Sequence, residues 1–301
     1  MLKFMKEWTL PIAMTLGALT HMWMEKLAFL TPWLIFVMLL ITFCKMSWRH
    51  IRFHRAHSWL LLIQTIGNVA VYAALYPFDR TLAQGAMLCL LAPTATAAVV
   101  ITGMLGGNVG FLTAYLLLCN LTVAVLAPVE FTLMGVHEDM PFLLSVWHIC
   151  LKVFPLLILP LFVASGLRRW APKVHGFLTG FPKLTFYLWA AALVIVTGIT
   201  VHDMLGREAS AMQTGIRLAV VSLVICCLQF LLGRCIGRAC GDPVSSGQAL
   251  GQKNTILALW MAQTYLHPLT SIAPATYILW QNIINSFQLW RQNRRQQHGE
   301  E

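Results

Sequence analysis

A lysine and several carboxamides interrupt an apolar stretch near the carboxyl end of the chain. Gln252, Lys253 and Asn254 follow Gly251 in a segment that is otherwise as apolar as a membrane helix. A cation and amides inside a hydrophobic span are costly, so they mark a candidate functional site. Glycine lets the backbone leave a helix at little cost, and a membrane helix broken at polar residues is typical of transporters.

A second break lies earlier, where Pro93 interrupts an apolar run and Thr94 and Thr96 follow it. Proline kinks a helix, and unwound backbone at membrane depth is tolerated only inside protein or beside a cavity. The half-helix after each break presents free N–H groups and the positive end of its dipole, which favour an anion. Matching breaks in two halves of a chain indicate a site near the membrane midplane. The alternative is two ordinary kinked helices, since Gly and Pro are frequent in membrane spans.

Further amides lie in the last apolar run and in the third. Gln281, Asn285 and Gln288 lie at spacings of four and three and share one face of the last run. Asn282 lies beside them, and Gln64 lies in the third run. Such amides either line a ligand site or link helices through hydrogen bonds. Gln64 is expected to face the same core, as scaffold or as part of a cavity wall.

The composition places the chain in a lipid bilayer. Of its 301 residues, 58% are hydrophobic and only 11% are charged, which is far more apolar than a soluble domain. The eight Cys residues show no metal-ligand spacing and are expected to be free thiols. We therefore expect no metal and no cofactor. The sequence contains no ATPase, zinc-protease or hydrolase motif, which argues against an enzyme.

About 20 apolar residues are needed to cross a bilayer, and ten apolar runs of about that length can be recognised in the sequence. We therefore expect ten membrane spans. They cover residues 8–24, 28–45, 58–76, 81–105, 109–129, 142–166, 184–201, 212–237, 246–266 and 268–290. The fold class that follows is an all-α polytopic membrane protein.

The cationic residues fall mainly on one side of these spans. If the amino terminus is inside, 15 Lys and Arg lie in inner segments and three, Lys26, Arg80 and Arg207, lie in outer segments. Cytoplasmic segments carry the excess of Lys and Arg, so both termini are expected to be cytoplasmic, in an inner or plasma membrane. The net charge of +10 then reflects orientation beside anionic lipid rather than a nucleic-acid partner.

Ten spans divide into two groups of five, and an odd number in each group forces the groups to insert in opposite orientations. The expected repeats are residues 1–135 and 136–295, followed by a cytoplasmic tail at 296–301. This arrangement is the inverted repeat that the two breaks already indicate, with two discontinuous helices that cross.

The sequence resembles the bile acid:sodium symporter family at several motifs. They are Ala92-Pro93-Thr94-Ala95-Thr96-Ala97-Ala98-Val99-Val100, Gly107-Asn108-Val109, Gly251-Gln252-Lys253-Asn254 and Trp280-Gln281-Asn282-Ile283-Ile284-Asn285-Ser286. The resemblance implies alternating access, an organic anion such as a carboxylate as substrate, a core of spans 3–5 and 8–10 and a panel of spans 1, 2, 6 and 7. It also implies that Asn254, Gln281 and Asn282 line the substrate cavity. The expected substrate-binding residues are Thr94, Thr96, Asn254, Thr255, Gln281 and Asn282.

The chain departs from the sodium-coupled members of that family where sodium is bound. Ala249 and Lys253 replace a carboxylate and a Gln at the second break, and Ala98-Val99 replaces Ser-Asn at the first. Leu112 and Leu116 stand where hydroxyls are expected on the fifth span. Sodium prefers several oxygen ligands that include a carboxylate. Both sodium sites of the family are therefore expected to lack the oxygen ligands that sodium needs.

Lys253 is the expected substitute for sodium, with Gln64 as a second candidate at the ion site. A buried ammonium could hold the two breaks together, or it could release a proton during transport because burial disfavours its charged form. Alternatively, Lys253 extends to the cytoplasmic edge of the membrane.

The expected function is therefore secondary transport of a small organic anion by alternating access, without sodium, with protons as a further candidate partner in a symport. One alternative is a membrane sensor or scaffold with a degenerate site. Another is an inorganic cation/proton exchanger, against which the lack of any acid at a span centre weighs. Uptake by proteoliposomes separates transport from sensing.

Overall fold

The computed structural model describes residues 2–46, 52–134, 140–181, 184–205 and 209–297. The regular elements in these ranges are helices. They are α1 Leu2–Leu19, α2 His21–Met24, α3 Leu30–Lys45, α4 Arg55–Leu75, α5 Arg80–Leu91, α6 Ala97–Met104, α7 Val109–Leu133, α8 Phe142–Trp170, α9 Pro172–Gly180, α10 Leu184–Met204, α11 Ala209–Cys240, α12 Pro243–Gly251, α13 Thr255–Tyr265 and α14 Ile272–Gln297. Two short 3-10 turns cover Glu25–Leu27 and Pro268–Ser271.

Five of the described helices are long and apolar enough to cross a membrane by themselves. They are Arg55–Leu75, Val109–Leu133, Phe142–Trp170, Leu184–Met204 and Met212–Cys240. A sixth candidate is the bent pair His21–Leu27 and Leu30–Lys45, whose axes differ by 68°. The chain is thus an all-helical integral membrane protein, but the expected count of ten spans is not confirmed. The other predicted spans are short, broken or rich in amides, as α5, α6, α12, α13 and α14 are.

Both short helices that lead into a break begin in the same way. The side chain of Asp79 accepts a hydrogen bond from Leu82 N at 3.0 Å and caps α5. The side chain of Asp242 accepts one from Ser245 N at 2.9 Å and caps α12. An acid at this position satisfies an otherwise unpaired N–H group and complements the helix dipole.

Two glycines with positive φ make the tight connections next to these helices. Gly106, with φ 75°, lies between α6 and α7, and Gly241, with φ 88°, lies between α11 and α12. Residues with a Cβ rarely adopt this conformation. The two turns therefore need glycine.

The described chain forms two compact units. The first unit consists of Met1–Met46, Ala124–Gln213 and Leu259–Ser271. In it α1 and α2 pack on α10, and α3 packs on α8 and α10. The backbones of α1 and α10 approach closely at Gly17 and Gly198, because a Cβ at Gly17 would overlap Val194 O.

The second unit consists of Ser47–Val123, Thr214–Ala258 and Ile272–Glu301. In it α5 packs against α4 and α14, and α12 packs against α4 and α6. Gly233 and Gly237 on α11 face the first turns of α12, where an added Cβ would overlap the backbone of Ser246 or of Asp242. Small residues spaced by four allow this close approach of membrane helices.

Some sequence predictions fall outside the described residues. They are the repeat boundary at residues 135 and 136, residues 298–301 of the predicted tail, and three of the Lys and Arg residues that were counted for the orientation, namely Arg49, Lys183 and Arg207. All eight Cys are free thiols in the structure. Cys235 and Cys240 are exposed, whereas Cys44, Cys89, Cys119 and Cys226 are buried.

Candidate functional site

The two predicted breaks lie side by side in the second unit. Helix α5 ends at Leu91 and α6 begins at Ala97, while α12 ends at Gly251 and α13 begins at Thr255. Between them, Ala95 N donates to Gln252 O at 2.9 Å and Asn254 N donates to Pro93 O at 2.7 Å. Each break therefore supplies hydrogen-bond partners for backbone groups that the other break leaves without a partner in its helices. Backbone groups away from water need such partners.

Thr94 and Lys253 are the centre of this contact and form an antiparallel backbone bridge. The side chain of Thr94 is fully buried, and its Oγ1 donates to Ala249 O at 2.6 Å. Thr94 thus ties the first break to the end of α12. In this arrangement its hydroxyl is used within the protein.

The ammonium of Lys253 lies at the carboxyl end of α5. The side chain is 1% exposed, and Nζ donates to Leu90 O at 2.9 Å rather than extending to the surface. Gln64 Nε2 donates to the next two carbonyls, Leu91 O at 3.0 Å and Ala92 O at 3.3 Å. A cation at the carboxyl end of a helix is stabilised by the negative end of the dipole. Three consecutive carbonyls therefore receive protein donors.

Gln64 is itself fixed by two side chains of α7. Its Oε1 accepts from Tyr115 OH at 2.9 Å and from Cys119 Sγ at 3.2 Å, both on α7. All three side chains are buried. The amide can therefore direct its N–H groups only at the end of α5, because its oxygen is already used.

The carboxyl end of α12 is held from α14 and α11. Tyr277 OH donates to Gly251 O at 2.7 Å. Gln229 Nε2 contacts Tyr277 OH at 2.9 Å and Cys89 O at 3.2 Å, which connects this end to α5. A Cβ at Gly251 would overlap the ring of Phe230. Glycine is therefore needed here for close packing as well as for the break.

The amides of one face of α14 contact α12 and the break that follows it. Gln281 Oε1 accepts from Lys253 N at 2.9 Å. Gln248 Nε2 donates to Asn285 Oδ1 and to Gln288 Oε1, each at 3.0 Å. The shared face expected from the spacing of these residues is therefore a contact between helices.

Three predicted substrate residues are partly exposed, and they lie at the start of a half-helix or on α14. Thr96 is the residue before α6, and Asn254 is the residue before α13. Asn254 Oδ1 accepts from Leu257 N at 3.3 Å, as a helix cap does. Asn282 Nδ2 donates to Ile278 O of its own helix at 2.7 Å. The other predicted site residues are buried, namely Gln64, Pro93, Thr94, Gly251, Lys253, Thr255 and Gln281.

No carboxylate accompanies the cation in the breaks. Among the described residues of the second unit, the acids are Asp79 and Asp242, and both cap helices. Lys253 is therefore held by a carbonyl and by the end of a helix dipole rather than by an ion pair within these segments.

Residues 31–207 match the profile of the sodium bile acid symporter family, which is more than half of the chain. The chain belongs to this family. The match confirms the resemblance seen in the motifs and includes the first break, although it ends before the second. A search of curated proteins finds no match to the chain. Members of the sodium bile acid symporter family are membrane transporters and not enzymes, so the family indicates that this integral membrane protein is a transporter.

Several residues that hold the breaks of this symporter-family member were not predicted from the sequence. These residues are Tyr115, Gln229 and Tyr277, and each makes a hydrogen bond to a carbonyl or an amide that lies far away in the sequence. No local sequence pattern predicts such partners. The spacing of Gly233 and Gly237 did carry a signal, because glycines four apart in an apolar segment mark a helix-packing face.

Proposed function

We propose that this member of the family is a secondary transporter of a small organic anion. In this proposal it works by alternating access and does not need sodium, because the ammonium of Lys253 stands in for the ion. Family membership supports transport as such. The organic anion and alternating access follow from the resemblance to that family, and sodium independence rests on the local structure of the two breaks.

The observation that carries sodium independence is the use of the α5 carbonyls. A sodium ion in a membrane protein needs several oxygen ligands, and unwound backbone carbonyls commonly supply them. Here Leu90 O accepts from Lys253 Nζ, and Leu91 O and Ala92 O accept from Gln64 Nε2. Ala249 O likewise accepts from Thr94 Oγ1. An ion would have to displace these donors from buried positions.

Charge also opposes sodium at this place. Two unit charges about 4 Å apart repel by about 4 kcal/mol at an effective dielectric constant of about 20. No acid of the described second unit lies in the breaks to offset the repulsion. An uncharged Lys253 would remove the repulsion, but it would still leave the carboxylate ligand missing.

The anion is proposed to bind at the starts of α6 and α13. The positive ends of the two helix dipoles favour negative charge there. Ala98 N and Val99 N of α6, and Thr255 N and Leu257 N of α13, already donate to acceptors within the chain, so the dipole ends are the main attraction. Thr96, Asn254 and Asn282 are the partly exposed members of the predicted set, so they are the ones within reach of a ligand. The buried members, such as Thr94 and Gln281, then hold the scaffold.

The proposed architecture is ten spans in two inverted five-span repeats, with both termini cytoplasmic. A long helix, a broken helix and a second long helix follow one another as α4 to α7, and again as α11 to α14. In each series the broken helix starts at a capping Asp, Asp79 or Asp242. This repetition of order and capping supports two related halves. The core of spans 3–5 and 8–10 and the panel of spans 1, 2, 6 and 7 are part of the same proposal.

The protonation of Lys253 during transport distinguishes two forms of the proposed mechanism. If it keeps its proton in every state, the protein is a facilitator for the anion. If the proton leaves in one state, transport is coupled to pH, and protons are the second partner of a symport. Substrate uptake at several pH values distinguishes these forms.

The test is uptake into proteoliposomes, preceded by a thermal-shift screen of carboxylates that selects the substrate. Replacing sodium by choline should leave the initial rate of uptake unchanged. A tenfold or greater fall on sodium removal would overturn sodium independence. Binding of a carboxylate without any uptake would instead favour a sensor or scaffold.

A further inference from the structure

A pair of histidines with a nearby carboxylate lies in the first unit. His21 is on α2 and His202 is near the end of α10, and their Nδ1 atoms are 3.3 Å apart. Oε2 of Glu25 lies 3.6 Å from Nε2 of His202. The side chains of His202 and Glu25 are 41% and 71% exposed. An ion from solution can therefore reach the pair.

Close packing of two helix backbones lies next to the two rings. Gly17 and Gly198 face each other, because an added Cβ at Gly17 would lie 3.2 Å from Gly198 N and one at Gly198 would lie 2.9 Å from Gly17 O. His21 and His202 each follow one of these glycines by four residues. The approach of the glycines therefore brings the two imidazoles together, and little reorganisation is needed to bind a ligand between them.

The separation of the nitrogens matches the edge of a metal tetrahedron. Zinc–nitrogen bonds of about 2.0–2.1 Å at tetrahedral angles place two ligand nitrogens about 3.3 Å apart. The same separation also allows a long hydrogen bond between the two rings, with one Nδ1 as the donor and the other as the acceptor. The 3.3 Å between Nδ1 of His21 and Nδ1 of His202 is thus compatible with a shared zinc ion.

Glu25 favours the tautomer of His202 that binds metal. A carboxylate beside Nε2 attracts the ring proton to that nitrogen, which leaves the lone pair of Nδ1 for a metal. The usual outer partner of a zinc-bound histidine is a carboxylate hydrogen-bonded to the second ring nitrogen. At 3.6 Å, Glu25 lies within ion-pair distance of Nε2 but beyond a hydrogen bond.

We propose that His21 and His202 bind a divalent transition metal ion, with zinc as the best fit to the geometry. The described residues contain no group of three or more His, Cys, Asp or Glu side chains arranged to hold a metal. The site is therefore a two-nitrogen site whose remaining positions are filled by water. A bound ion would join α2 to α10, two elements of the same unit.

The test is titration of the purified full-length protein with zinc chloride, followed by calorimetry. The affinity tag must contain no histidine. We expect one zinc ion per chain, and an affinity at least tenfold weaker in His21→Asn and in His202→Asn. His148→Asn is the matched control, because His148 is an exposed histidine of the same unit whose Nδ1 contacts Leu144 O of its own helix. It should leave the affinity unchanged.

A second measurement keeps the test valid if a histidine variant folds poorly. Protons compete with metal for imidazole, so zinc binding to the unaltered protein should weaken as the pH falls. Zinc should also raise its unfolding temperature, because it binds the folded state. Absence of zinc binding, equal binding in both histidine variants and wild type, or loss of binding in His148→Asn would each overturn the proposal.

Discussion

Replacing Lys253 by Gln shortens the side chain by one bond and removes its charge. The amide nitrogen would fall roughly 1.5 Å short of the position of Nζ, so the 2.9 Å contact with Leu90 O would be lost. A buried carbonyl left without a donor costs about 1–3 kcal/mol. A cation lost from a helix end costs about 0.3–2 kcal/mol more.

Removal of a buried charge acts in the opposite direction, since an ammonium is costly in an apolar interior. The expected net loss for Lys253→Gln is therefore about 1–3 kcal/mol in the free energy of unfolding. For chains of this order of size, each kcal/mol lowers the unfolding temperature by about 2–4 °C. The unfolding temperature of the detergent-solubilised variant should thus fall by several degrees.

The matched control is Lys152→Gln, which removes an exposed lysine on α8 and should leave the unfolding temperature unchanged. Both variants should be measured in sodium and in choline, with no difference between the two salts for wild type. If Lys253→Gln melts together with wild type and Lys152→Gln, then Lys253 does not hold the end of α5. Stabilisation of wild type by sodium would show that an ion site exists despite the occupied carbonyls.

Two further predictions concern the anion site and the orientation of the chain. Asn254→Leu should weaken binding of the selected carboxylate by about one to two decades, because it removes a polar contact worth about 1–3 kcal/mol. The control variant Gln288→Leu should bind the carboxylate as wild type does. Unchanged binding in Asn254→Leu would place the anion elsewhere. In a chain whose native cysteines have been removed, Pro172→Cys should react only with a thiol reagent on the cytoplasmic side. Asp139→Cys, which lies outside the described residues, should react only from the other side, and labelling of Asp139→Cys from the cytoplasm alone would exclude the inverted repeat.

The breaks could be predicted from the sequence because their signals are local. Pro93 and Gly251 each stand in an apolar run beside polar residues, and helices end next to both positions in the structure. The family was likewise readable from short motifs. Each of these features depends on a few consecutive residues.

The partners of the polar residues were not predictable in the same way. Gln64 reaches Leu91 O, and Lys253 reaches Leu90 O across 163 positions of the chain. Such pairs depend on how helices pack, and one sequence carries no signal for that. The interpretation of Thr94 and Gln281 as substrate residues stays a prediction, because a polar residue in a membrane span is compatible with a ligand and with a buried hydrogen bond such as each of them makes.

The span count shows a further limit of hydropathy. A continuous apolar run such as Val109–Leu133 is recognised by length and composition. A pair such as α12 and α13 is recognised only if the break between them is assumed to lie within one crossing. Composition alone therefore supports fewer crossings than the proposed ten.

The pairing of the two breaks has a consequence for the biogenesis of the protein. Thr94 finds its acceptor, Ala249 O, 155 residues later in the chain. At a synthesis rate of about 5–20 residues per second, the ribosome needs roughly 8–30 s to make that intervening segment. Unpaired backbone groups in hydrocarbon cost several kcal/mol each. The first broken helix, α5 and α6, therefore has unpaired backbone groups in the lipid until α12 has been synthesised. We expect it to insert stably only after α12 has emerged from the ribosome.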